Sequence, residues 1–87
     1  MKNILQYNLI FKPESEGGFT VIVPSLPGCV TYGKNLKEAK SMAEDAIKGY
    51  IVSLRKHNEV VPTDSDNFVA TLDVNFQAEP LKKMIYA

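Results

Sequence analysis

The chain has 87 residues, room for one domain and not for a modular enzyme, and its 45% hydrophobic and 23% charged residues mark a folding sequence rather than a disordered one. Ten basic and ten acidic side chains cancel, which leaves no global field to attract nucleic acid or an anionic lipid surface. The single cysteine, Cys29, excludes an intrachain disulfide and a Cys-rich metal site and fits a reduced, cytoplasmic compartment. Polar residues interrupt the N-terminus before a signal-peptide core could form, and no run approaches the roughly 18 apolar residues of a membrane span. The charge is uneven along the chain. Residues 34–57 carry six Lys or Arg against three acidic residues, whereas residues 58–81 carry five acidic residues and no Lys or Arg.

Leu5, Tyr7, Leu9 and Phe11 alternate with polar residues, which predicts a first strand over residues 3–12 with one buried face. Pro13 and Gly17-Gly18 punctuate the chain, and Phe19-Thr20-Val21-Ile22-Val23 reads as the return strand of a hairpin that ends at Pro24. The cluster Ser25-Leu26-Pro27-Gly28 is a turn, followed by a short third strand, Cys29-Val30-Thr31-Tyr32, closed by Gly33. Asn35 stands at an N-cap position with Glu38 three residues later, so a helix is predicted to begin at Leu36. Leu36, Ala39, Ala43, Ala46, Tyr50 and Leu54 form its apolar stripe, Val52 falls almost opposite, and His57-Asn58 ends it. A polar loop over residues 59–67 leads to Phe68, Ala70, Leu72, Val74 and Phe76, whose strict alternation is the clearest strand signal in the chain. Pro80 interrupts before a short tail in which residues 81–87 could form a strand, a helical turn or a frayed end.

The predicted order is therefore β-β-β-α-β in the α+β class, with one helix covering one face of a four-stranded sheet. The uncovered face would carry Ile4, Gln6, Asn8, Ile10, Thr20, Ile22, Thr71 and Asp73, apolar enough to suggest docking. Ile4, Gln6, Asn8, Ile10 and Ile22 are accordingly candidate interface residues. Val52 joins them because Gly49 one turn earlier would let another chain approach the helix. A one-sided sheet and a small core favour a homodimer or a higher even oligomer.

Catalytic machinery is not visible. A nuclease on such a sheet needs clustered carboxylates for divalent metal, but the first strand has none and Glu38 and Asp73 stand apart. His57 has an explanation at the helix C-terminus, Cys29 has no evident base, and Gly17-Gly18 does not lead from a strand into a helix as a phosphate loop would. No catalytic residue, metal ligand or cofactor is expected. Lys34, Lys37, Lys40, Lys48, Arg55 and Lys56 could make a weak nucleic-acid surface, yet Glu38, Glu44 and Asp45 interleave with them as on a solvated helix face.

The segment from Gly17 to Gly33, with its hairpin glycines and its Pro24-Ser25-Leu26-Pro27-Gly28-Cys29 turn, followed by Leu36-Lys37-Glu38-Ala39, resembles the N-terminal domain of HicB-type antitoxins. Ala43-Glu44-Asp45-Ala46 and Val61-Pro62 extend the resemblance over residues 4–76. It implies an incomplete RNase H-like fold in residues 1–76. It also implies a non-catalytic protein that neutralises a HicA-type toxin, a small mRNA endonuclease. Many relatives continue into a DNA-binding domain, for which residues 77–87 are too few, so DNA binding is not expected. The alternative is a free-standing homo-oligomeric domain without a toxin. Within the shared motif, Pro24, Leu26, Pro27, Gly28, Cys29, Gly33, Glu38 and Ala39 read as scaffold: glycines for turns, prolines for stiffness, Glu38 as a cap.

Overall fold

Gly17 and Gly18 both take positive φ (104° and 79°), and the turn they make folds Ile10–Pro13 (β1) back onto Phe19–Ile22 (β2). A second reversal at Pro24 to Gly28 brings in Val30–Gly33 (β3), and the chain then enters one long helix, Leu36–Lys56 (α1). The computed structural model describes residues 4–77. Its sheet is antiparallel in the order β1-β2-β3, with Ile10 opposite Ile22 and Ile22 opposite Val30.

Alternation along the strands divides the sheet into two faces. Phe11, Phe19, Val21 and Val23 turn inward, the two phenylalanine rings meeting edge to face at 6.4 Å. Ala39 and Ala43 press on Val21 with no solvent exposure, and their small side chains let α1 lie close to the sheet. A second cluster forms around Val23, Leu26 and Cys29, closed by Tyr7, Leu9, Ala46, Ile47, Tyr50 and Leu54. The helix starts where predicted. The Asn35 side chain accepts the Glu38 N–H at 2.8 Å, while the Glu38 carboxylate accepts the N–H of Lys34 at 2.7 Å, one residue before the usual capping-box donor. At the other end Asn58 takes φ 56° and the Glu59 N–H closes on the Leu54 carbonyl at 2.9 Å.

Two sequence expectations are corrected. The first strand, expected over 3–12, is paired only over Ile10–Pro13, because β2 stops at Ile22 and the chain turns at Pro24, leaving residues 4–9 beyond the end of their partner. The fourth strand, expected over 68–76, does not form within this chain: residues 68–77 carry no strand structure, and Phe68 and Leu72 are 90% and 84% exposed. The described sheet therefore has three strands. Of the expected tail, 77–87, all but the first residue lies outside the described residues.

Candidate functional site

Three local features converge around this sheet. The first is the turn between β2 and β3. The Val23 N–H donates to the Cys29 carbonyl at 3.0 Å, and Leu26 and Cys29 donate to Val23 and Leu26 carbonyls inside it. Gly28, at φ 81°, makes the reversal possible, while Leu26 is carried fully into the core. The Tyr50 hydroxyl on α1 donates to the Pro27 carbonyl at 2.7 Å and holds the turn against the helix.

The second is Asp64, in a loop read from sequence only as polar. It is almost fully buried, and its carboxylate accepts the Ser25 hydroxyl, the Asn8 N–H at 2.9 Å and the Asn67 side-chain amide at 3.0 Å. The Asp64 N–H donates to the Gln6 carbonyl at 2.8 Å, and the nearby Tyr7 hydroxyl donates to the Pro62 carbonyl at 2.6 Å. Asp64 thus supplies the partners that residues 6 and 8 lose where β2 ends. Those donors, the Ser25 hydroxyl first, then the Asn8 N–H and the Asn67 amide, hold the Asp64 carboxyl below its ordinary value against a small opposing cost of burial. Burial, and then the Asp64 charge, push the Tyr7 hydroxyl up.

A depressed folded-state pKa stabilises above the unfolded value and is lost as pH falls through the folded one. Asp64→Asn is therefore expected to lower the thermal midpoint at neutral pH, since one amide oxygen cannot accept all three donors. The gap to the wild type should narrow on acidification below the ordinary Asp range. Melts by circular dichroism across that range check it, and a gap independent of pH would contradict the role of the charge.

The third feature is the sheet face turned away from α1. Ile10, Ile22 and Val30 lie side by side across the three strands, and Lys12, Thr20 and Tyr32 form the row beside them. Ile10 and Val30 are about half exposed, at 47% and 55%. The Tyr32 hydroxyl donates to the Gly17 carbonyl at 2.9 Å and the Thr20 hydroxyl donates to the Glu14 carboxylate, so the polar row is fixed to the hairpin. Around the β1 side, a groove of about 560 Å³ opens between residues 4–9 and α1, with Leu5, Leu9, Ile47 and Ile51 among its apolar walls and Lys40, Glu44 and Lys48 on its rim.

A model of the family described as a HicB-like antitoxin of bacterial toxin-antitoxin systems matches residues 7–82. The chain belongs to the HicB-like antitoxin family. Among its relatives, a UPF0150 protein of Thermoplasma acidophilum is 46% identical over 61 residues, 70% of this chain and 88% of that protein. A UPF0150 protein of Synechocystis is 33% identical over 63 residues, covering 72% of this chain and 80% of the relative, and one of Helicobacter pylori is 29% identical over 72% of this chain and 88% of its own length.

In this HicB-like chain the family's motif residues sit at the junction of sheet, turn and helix. Leu26, Cys29, Gly33 and Ala39 are buried, Pro24, Pro27 and Gly28 form the exposed rim of the turn, and Glu38 caps α1. Of the candidate interface residues, the structure brings Ile10 and Ile22 together and adds Val30 and Tyr32. The alternation of Cys29 to Tyr32 is a sequence signal for these two, but four residues are a short run on which to assign a face. Ile4 is exposed at the groove, while the backbones of Gln6 and Asn8 hold Asp64. Val52 is 55% exposed on α1, in the other layer, and does not join the sheet residues.

Burial pushes the Cys29 thiol up, which disfavours a nucleophilic thiolate. The His57 Nδ1 lies 2.8 Å from the Ser53 carbonyl and must donate to it. Among the described residues no three His, Cys, Asp or Glu side chains gather as a metal site, and no helix is long and apolar enough to cross a membrane.

Proposed function

We propose that this chain is a non-catalytic antitoxin that binds and neutralises a HicA-type mRNA endonuclease in the cytoplasm, using residues 1–76 as a domain of the incomplete RNase H-like type. Membership in the antitoxin family supports a toxin partner. The observation that carries the reading is the cross-strand row of Ile10, Ile22 and Val30 on a sheet face that no second layer covers among the described residues, rimmed by Lys12, Thr20 and Tyr32. A dry centre with a polar rim is the usual anatomy of a protein-binding patch. The motif residues from Pro24 to Ala39 act as scaffold behind it.

Co-expression and pull-down with the product of the neighbouring reading frame test this function, and failure to bind that product or to rescue growth from it would overturn it. The contact face is tested by substitution. Val30→Glu is expected to weaken toxin binding by about 1–3 kcal/mol, because a carboxylate must then be desolvated at the interface, and to leave the helical signal unchanged. Val52→Glu should change binding by no more than about 0.5 kcal/mol. The opposite ranking would move the contact to the helix face.

A further inference from the structure

We propose that residues 68–76 become a strand in trans: two copies of the chain exchange this arm, each laying it along the free edge of the other's first strand and over the groove beside α1. The proposal goes beyond the antitoxin reading and does not depend on it.

Among the described residues, neither the arm nor its receptor has a partner strand. Phe68, Leu72, Val74 and Phe76 are exposed, yet they share the period-two face that a strand buries. A long exposed apolar strand is a template for pairing with another chain. The receptor is an edge. The Val23 N–H reaches Cys29 across to β3, so by alternation the peptides of Thr20 and Ile22 face β1, and those of Ile10 and Lys12 face back toward β2. The Phe11 peptide then points outward on the side of β1 that carries no strand among the described residues.

The direction in which the arm departs separates exchange from closure within one chain. Asp64 binds the Gln6 carbonyl and the Asn8 N–H, groups of the same even parity as Ile10 and Lys12, so the turn that precedes the arm sits on the β2 side of this segment. The free edge is on the opposite side. To reach it in cis, residues 65–67 would have to cross the segment, but the Asn67 N–H is bound to the Asp64 carbonyl at 2.9 Å and its side chain to the Asp64 carboxylate. A second copy needs no such crossing. Nine extended residues span about 30 Å, the length of the edge from residue 4 to Pro13. The groove below that edge offers Leu5, Leu9, Ile47 and Ile51 to the arm's apolar face. Charge adds one contact of opposite sign: the arm carries Asp73 and no Lys or Arg, and Lys40 stands at the groove's rim beside the Glu44–Lys48 ion pair. Two-fold exchange satisfies both arms and both edges with one repeated contact.

Light scattering at micromolar concentration is expected to give twice the 9.7 kDa chain mass. Leu72→Glu in the arm and Leu5→Glu in the groove should each give the 9.7 kDa monomer with an unchanged helical signal by circular dichroism, and Phe76→Lys should repeat the first result. An equal mixture of the Leu72→Glu and Leu5→Glu chains should recover dimer, because it restores one intact arm and groove. A monomeric wild type, a dimer surviving both arm substitutions, or a mixture that stays monomeric would each overturn the exchange.

Discussion

Gly33→Ala should lower unfolding stability by about 3 kcal/mol, bringing the thermal midpoint down by roughly 15 °C in a domain of this size. Gly33 ends β3 under the first turn of α1, and a Cβ there would overlap the backbone nitrogen and Cα of Ala39 and lie 2.8 Å from its Cβ. Backbone atoms cannot rotate aside, so the whole helix start would have to lift off Val21 and expose Ala39. Conformational strain plays no part, because Gly33 is not among the positive-φ glycines. Gly28→Ala is the matched comparison: it has open space around it but φ 81°, and should cost only about 1 kcal/mol. Urea unfolding of both variants checks the ranking. Equal costs would show that close helix contact is not what reserves position 33 for glycine.

Leu26→Ala is expected to cost about 3 kcal/mol, from lost transfer free energy and the cavity left behind. Leu26 has no solvent exposure and packs with Val23 and Cys29 under Tyr50 and Leu54, so it joins the exposed turn to the second core cluster. Its N–H donates to the Val23 carbonyl at 3.0 Å, and collapse of the cavity would pull on that bond. The substitution should also reduce toxin binding in proportion to the unfolded fraction, whereas Val30→Glu should reduce it without unfolding. A Leu26→Ala chain as stable as the wild type would mean that the turn rests on its prolines rather than on its buried side chain.

The elements with a local signature were legible. Asn35 and Glu38 mark the start of α1, and Asn58 marks its end, because caps are satisfied by neighbours in sequence. Gly17-Gly18 and Pro24 to Gly28 mark the two reversals for the same reason. Of the sheet face turned away from α1, Ile10 and Ile22 are legible in the sequence and Val30 and Tyr32 are not, since strand register joins residues through two turns and the third strand is only four residues long. Asp64 was illegible. Its partners Asn8 and Ser25 lie 56 and 39 residues away, and nothing in a run of Thr, Asp, Ser and Asn distinguishes the carboxylate that is buried from those that are solvated.

A motif of turn and cap residues spread from Gly17 to Ala39 marks the family, and periodicities of two and 3.6 mark the order of three strands and a helix. Which of these elements pack on each other depends on placement in three dimensions. Alternation in residues 68–76 states that one face needs burying, but not whose sheet buries it, because hydrophobic pattern specifies a period and carries no address. Three-dimensional placement adds what the pattern lacks: β2 ends at Ile22, Asp64 takes up backbone groups of residues 6 and 8, and residues 68–77 carry no strand structure of their own.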